Sequence, residues 1–281
     1  MMAFPSPSSN NRNTDAKVFL VTGATGAIGK AIARQLAATP DSEVVLVCRN
    51  QDKAKHAIKE IVESTGNSRV RYEIADLSRQ DDIRGLVARW TGPLHVLINN
   101  AACTPHTRQE TPEGIEMQFA TNVLGYFWLI DAFTTILKAS APARVVNVAS
   151  YWAGGLDLND LEFVRRRYDN DNAYRQSKQA DRMLSVAFAE TLEPYRISVN
   201  ACHPGDVHST LSHNLGFGGH ETPDQGAATP VWLATHPVGQ QSTGRYYEHR
   251  CESNCTFGRD RQAVHALYEI CANYSNGKLR R

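Results

Sequence analysis

Six short apolar runs, "KVFLVT", "EVVLVC", "VRYEIA", "LHVLIN", "RVVNVA" and "RISVNAC", alternate with amphipathic stretches along most of the chain. Each run is rich in β-branched residues and too short for a helix. The intervening segments, among them "AIGKAIARQLAA", "QDKAKHAIKEIVES" and "AYRQSKQADRMLSVAFAETLE", carry apolar residues at helical spacing. This alternation predicts successive βαβ units and a parallel sheet. Because the runs are continuously apolar, helices are expected on both faces. The expected fold class is α/β, a doubly wound, mostly parallel single sheet of about seven strands. A helix around "GAATPVWLATH", a last strand "GRYYEH" and a terminal helix "RQAVHALYEICANYS" close it, and the aperiodic "LSHNLGFGGHETPDQG" reads as a mobile loop.

A chain of 281 residues, 42% hydrophobic and 21% charged, has ordinary globular composition. One domain over 17–281 is expected, behind a loose tail at 1–16 rich in Ser, Asn and Pro. Thirty basic and twenty-nine acidic residues leave a net charge of +1, which provides no field to attract nucleic acid or an anionic bilayer. No window reaches the roughly 18 apolar residues of a membrane span. The opening lacks the apolar core of a secretory signal, and six scattered cysteines do not form a dense disulfide framework. These features predict a cytoplasmic protein with reduced thiols and a small-molecule ligand.

The first apolar run leads into "VTGATGAIGKAI". A triphosphate-binding loop needs four residues between its first glycine and Gly-Lys, then Ser or Thr. Here five residues separate Gly23 from Gly29, and Ala31 follows Lys30. A strict G-x-G-x-x-G also fails, since Gly23, Gly26 and Gly29 are spaced three and three. The loop nonetheless follows a strand and opens a helix in the first βα unit, where backbone N–H groups and the helix dipole favour a pyrophosphate. Gly23, Thr25, Gly26, Ala27, Ile28 and Gly29 are the expected cofactor-contacting positions. The second strand ends "VCRN", placing Arg49 and Asn50 where an adenosine ribose is read. An arginine there, without an acidic residue, suits the 2′-phosphate of NADP(H).

"AYRQSKQA" puts Tyr174 and Lys178 four residues apart, on one face of a helix. A phenol with ordinary pKa near 10 must fall by roughly three units, about 4 kcal/mol, to exchange protons near neutrality. An ammonium about 4 Å away at an effective dielectric near 20 supplies an energy of that order.

Taken together and in order, these motifs resemble the short-chain dehydrogenase/reductase family, whose Rossmann fold the expected elements match over nearly the whole chain. "TGATGAIG" resembles the cofactor loop, "ADL" with Asp76 and Leu77 the adenine-contacting turn, and "NNAA" (Asn99, Asn100, Ala101, Ala102) the family's NNAG. "TNVLGYF" offers Asn122, "VVNVAS" offers Ser150, and "HPGDVHSTL", with Pro204, Gly205, Val207 and Ser209, resembles the segment beside the nicotinamide. The resemblance implies that Tyr174 exchanges a proton with the substrate oxygen and Ser150 hydrogen-bonds that oxygen. It also implies that Lys178 lowers the tyrosine pKa and holds the nicotinamide ribose, and that Asn122 orients a water in the proton relay.

Two features refine the resemblance. The glycine spacing is that of the extended, nucleotide-sugar branch, with Ala27 where the compact branch carries glycine; chain length, NNAA and the short C-terminal region favour the compact branch. The 24-residue interval from Ser150 to Tyr174, with "CRN" and "TGRYYEH", resembles retinol-dehydrogenase-like reductases. The implied function is NADP(H)-dependent interconversion of a carbonyl and an alcohol on a lipophilic aldehyde, ketone or alcohol. The alternatives are a nucleotide-sugar epimerase or dehydratase, and a non-catalytic NADP-binding sensor. The two long helices flanking "RVVNVAS" resemble the family's dimer surface, so a homodimer is implied. No metal is expected: His249, Cys251 and Cys255 depart from zinc spacing. The arginines of "FVRRRYD" read as a solvated face, and Tyr126, Phe127 and Trp128 as core or dimer-face residues.

Overall fold

The computed structural model describes residues 16–276. The tail expected at 1–16 lies outside these residues except for Ala16, which is buried. The strands β1 (Lys17–Thr22), β2 (Ser42–Cys48), β3 (Val70–Ile74), β4 (Val96–Asn99), β5 (Ala143–Val148), β6 (Ile197–Cys202), β7 (Tyr246–Glu248) and β8 (Cys251–Ser253) form one sheet. Its order is β3-β2-β1-β4-β5-β6-β7-β8. Every neighbouring pair is parallel except β7 and β8.

Both faces are covered, as the continuous apolar strands require. Val18 and Leu20 of β1 and Val45 and Val47 of β2 face one core, with side chains from α3 (Gln80–Ala88), α4 (Gly125–Ala139), α5 (Asn170–Leu192) and α9 (Arg261–Ser275). Phe19, Val21, Val44 and Leu46 alternate to the other face, against α1 (Ala27–Ala37), α2 (Gln51–Thr65) and α7 (Pro223–Thr235). Tyr126, Phe127 and Trp128 are buried core residues. The stretch Phe119–Ala139 has the length and mean hydropathy, 1.2, to pass for a membrane span, contrary to the sequence reading, yet 67% of that window is buried in this core.

Two segments differ from expectation. The strand "GRYYEH" is not the last: it turns back through His249 (φ 47°) and Arg250 (φ 63°) into β8. A two-residue hairpin with both central φ positive is normally signalled by Asn-Gly, so His-Arg concealed it. The aperiodic stretch after residue 210 contains α6 (Thr210–Asn214), closed by a reciprocal Ser209/Ser212 capping box, and the first turn of α7, capped by Thr222 and Gln225. Val207 bridges in parallel to Glu221 across it.

Arg144 on β5 is buried with no carboxylate partner among the described residues, and its Nη1 donates to the carbonyls of Leu233 and His236 at the end of α7, both at 2.8 Å, just before the short α8 (Val238–Gln241). It satisfies acceptors that the end of the helix leaves without an internal partner. Replacing Arg144 by Met should lower stability by about 1–3 kcal/mol, read as a reduced urea midpoint at unchanged denaturant slope.

Candidate active site

Strand order reverses between β1 and β4, so the loops leaving them diverge and open a crevice at the carboxyl end of the sheet. Thr22, the last residue of β1, spans the divide. Its hydroxyl donates to the carbonyl of Ile98 (3.3 Å) and accepts the N–H groups of Asn100 (2.8 Å) and Ala101 (3.0 Å), while the Asn100 amide donates to the Thr22 carbonyl (2.9 Å). Gly23 then turns with φ 63°. A Cβ on Gly29, in the first turn of α1, would strike the Gly23 carbonyl and lie 2.6 Å from Asn100 Nδ2. Glycine at 23 and 29 therefore lets the loop, the helix and the β4 end close on one another.

These elements line a cavity of about 320 Å³ whose walls include Gly23, Thr25, Gly26, Ala27, Ile28 and Gly29. Arg49, Asp76, Leu77, Asn100, Ala101, Ala102 and Ser209 of the expected set also line it. Thr121, Thr210 and Leu211 line it too, within the motifs TNVLGYF and HPGDVHSTL but not named there as contacts, as does Cys103 just after NNAA. The Asp76 carboxylate is fixed by accepting the N–H (3.0 Å) and hydroxyl (2.7 Å) of Ser78.

Several predicted contacts lie elsewhere. Asn50 caps α2, its Oδ1 accepting the Lys53 N–H at 2.9 Å. Asn99 is buried, and its Nδ2 donates to Asn147 Oδ1 (2.9 Å); Asn147 Nδ2 in turn donates to Ser185 Oγ on α5 (2.9 Å). Pro204, Gly205 and Val207 do not line this cavity: Gly205 (φ 113°) packs on the Glu221 carboxylate, and Val207 is buried. Tyr174 and Lys178 also stand apart from it. Arg166 is no solvated arginine, because it folds onto Asp160, Nε donating to Oδ2 at 3.1 Å, and fastens residues 157–166 to α5 through Gln176.

The second half of the site lies between the end of β5 and α5. Asp169 caps α5 by accepting the Asn172 N–H, which starts the helix so that Tyr174, Lys178 and Arg182 follow at intervals of four on the face toward β5. The buried Tyr174 phenol lies beside the Ser150 hydroxyl, which favours its ionised form. The Ser150 hydroxyl also accepts the Trp152 N–H (3.0 Å), and the Ser150 carbonyl accepts from the Arg182 guanidinium. Lys178 Nζ, fully buried, donates to the Val148 carbonyl (3.0 Å) and to Asp181 Oδ2 (2.8 Å). Asn122 sits in a π-helical turn, Phe119–Leu124. Its amide holds the Cys103 backbone by both N–H (2.9 Å) and carbonyl (3.1 Å), and Nδ2 reaches Ser177 Oγ (3.3 Å). Such turns often mark functional positions. In this structure Asn122 tethers the loop after β4 to α5.

Electrostatics correct one expectation. The Tyr174 phenol is held above its ordinary value: burial raises it, Lys178 and Ser150 pull it down, and Asp181 raises it again. The sequence reading counted the ammonium, and neither the burial of the phenol nor the carboxylate beside the lysine. Beyond Ser150 the exposed aromatics Tyr151 and Trp152 stand at the surface, and His203 behind Tyr151 is kept neutral by burial and nearby positive groups, its pKa lowered to about 3. Among the described residues no group of three His, Cys, Asp or Glu side chains could hold a metal ion.

Residues 17–216 match the family model of the short chain dehydrogenases. A chain named "Probable oxidoreductase" from Streptomyces antibioticus is 35% identical over 273 residues, covering 88% of this chain and 91% of that one. Retinol dehydrogenase 13 from Mus musculus is 34% identical over 252 residues, covering 83% and 75%. Among solved structures, an uncharacterized protein from Mycobacterium paratuberculosis superposes with TM-score 0.77 at 25% identity, covering 92% and 93%. The chain belongs to the short-chain dehydrogenase/reductase family. It is a retinol-dehydrogenase-like member and an NAD(P)-dependent oxidoreductase.

The cavity residues fit such a dinucleotide: the glycine-lined helix N-terminus would take the pyrophosphate, Arg49 would meet the ribose, and Asp76 with Leu77 would meet the base. Because a side chain at 29 would wedge the loop from Asn100, Gly29→Ala should weaken NADPH binding at least tenfold by calorimetry. The far-ultraviolet spectrum should stay native.

Proposed function

We propose that the protein interconverts a carbonyl and an alcohol on a lipophilic small molecule, using NADP(H), with Tyr174 as general acid and base. The observation that carries this reading is a buried tyrosine beside Ser150 with a fully buried lysine 5.9 Å from its ring, at the strand end next to the dinucleotide cleft. When bound, the dihydronicotinamide supplies the hydride, and with it both electrons, to the carbonyl carbon. The Tyr174 hydroxyl gives its proton to the carbonyl oxygen, and Ser150 donates a hydrogen bond that fixes that oxygen. Solvent returns the proton to Tyr174. In the reverse direction the tyrosinate takes the alcohol proton.

An apolar substrate suits the wall beyond Ser150, where Tyr151 and Trp152 are 50% and 39% exposed although large and aromatic. Exposed aromatics grouped at a catalytic mouth offer apolar area to a ligand. The relatives named retinol dehydrogenase agree with that substrate class. The solvent-exposed Arg49 lines the cavity with no acidic side chain at that strand end, which favours the 2′-phosphate of NADP(H).

Tyr174→Phe should abolish turnover of every carbonyl substrate while NADPH still binds; full activity in that variant would overturn the mechanism. Since the tyrosine acts as an acid in reduction, and its proton is held more tightly than in free tyrosine, reductive turnover should be flat through neutral pH. It should fall only above about pH 10. Arg49→Asp should weaken NADPH binding by on the order of tenfold, about 1.4 kcal/mol, and narrow its advantage over NADH. Unchanged relative affinities by calorimetry would contradict the cofactor assignment.

A further inference from the structure

Lys178 and Asp181 form an ion pair with both side chains essentially out of water, 2% and 0% exposed. Lys178 Nζ has two acceptors, the Val148 carbonyl and Asp181 Oδ2. Asp181 Oδ1 has no hydrogen-bond partner among the described residues, so the carboxylate depends on the lysine. The other titratable groups around the pair are the phenols of Tyr174 on the same helix and Tyr126 from α4, and the thiols of Cys202 from β6 and Cys271 from α9. Burial keeps all four protonated at neutral pH. The pair is thus a plus and a minus charge among neutral groups; on the same helix face the buried Arg182 guanidinium is turned to the Ser150 carbonyl, and Tyr174 is also faced by the Tyr151 phenol.

Its position matters for Tyr174. Lys178 Nζ is 5.9 Å from the centroid of the Tyr174 ring and only 2.8 Å from Asp181 Oδ2. Seen from the phenol, the two charges act as a short dipole, whose field falls off faster than that of a lone ammonium. A family mechanism that counts on the lysine alone would leave Tyr174 easier to deprotonate than it is here.

We propose that Asp181 is a positioning residue which, by neutralising Lys178 and holding its Nζ down against β5, keeps Tyr174 in the protonated, proton-donating form and so extends carbonyl reduction to higher pH. This rests on the reading of Tyr174 as the acid and base. It adds that the pH range over which the site gives or takes the proton is tuned by a carboxylate three residues beyond the lysine, which itself touches no substrate.

Ionisation of Tyr174 can be followed without turnover, as the ultraviolet absorbance of tyrosinate in the intact protein minus that of Tyr174→Phe across a pH titration. In Asp181→Asn the Tyr174 midpoint should move to lower pH by about one unit or more, because the ammonium then acts uncompensated. The acid limb of alcohol oxidation and the alkaline limb of carbonyl reduction should both move the same way. A midpoint that is unchanged or higher in folded Asp181→Asn overturns the inference.

Loss of a buried countercharge can unfold a protein, whereas replacing both members of a buried pair is often tolerated. The double variant Lys178→Met/Asp181→Leu therefore provides a second test. Its Tyr174 midpoint should stay within about half a unit of the parent, since the opposing charges are removed together, while Lys178→Met alone raises it. A double variant displaced as far as Lys178→Met overturns the inference. If Tyr174→Phe turns over at the parent rate, the proposed mechanism fails, whatever the titrations show. If Tyr174→Phe is inactive and the midpoints do not move, only the role of Asp181 fails.

Discussion

The hydroxyl of Thr22 ties the two halves of the sheet together at the place where they would otherwise part. Strand order reverses between β1 and β4, and one side chain there donates to the Ile98 carbonyl and accepts from the Asn100 and Ala101 amides. Without that clasp the glycine turn and the loop after β4 would have no fixed separation. Gly29 needs the separation to be right, because any larger residue would meet Gly23 and Asn100. The dinucleotide cleft is the space left beside this clasp, and its shape follows from two glycines and one hydroxyl.

The residues proposed for the chemistry lie on one face of one helix. α5 presents Tyr174, Lys178 and Arg182 to the end of β5, where Lys178 donates to the Val148 carbonyl, Arg182 donates to the Ser150 carbonyl and Tyr174 lies beside the Ser150 hydroxyl. A helix fixed at these points cannot rotate without breaking them. The proposed proton donor is therefore held by the same face that docks the helix on the sheet. Burying a lysine in that contact is costly unless it is paired, and Asp181 supplies the pair within the same helical turn.

Much of this was legible in the residues. Continuous apolar strands and helical periodicity gave the doubly wound sheet, and the Tyr174/Lys178 spacing placed both on one helix face, because both are local patterns. Four things were not legible. The β7–β8 hairpin was hidden by His249 and Arg250, which are unusual residues for positive φ. The turns after residue 210 are held by Ser and Thr caps whose partners lie three residues away, in a stretch with no hydrophobic period. Asn50 and Asn99 match family positions, yet their amides are occupied by a helix cap and a buried amide chain. The influence of Asp181 on Tyr174 depends on how far each charge lies from the phenol, and helical spacing alone does not give that distance.

The central claim is that hydride and proton meet at one carbonyl beside Ser150. Its most direct test is isotope transfer: incubate the protein with NADPH deuterated at the transferable nicotinamide position and a panel of lipophilic aldehydes and ketones, then locate the label by mass spectrometry and NMR. The account expects deuterium on the carbinol carbon of the product alcohol, on one face only where that carbon is prochiral or chiral. An alcohol without the label, or no alcohol from any member of the panel in the presence of bound NADPH, would contradict it.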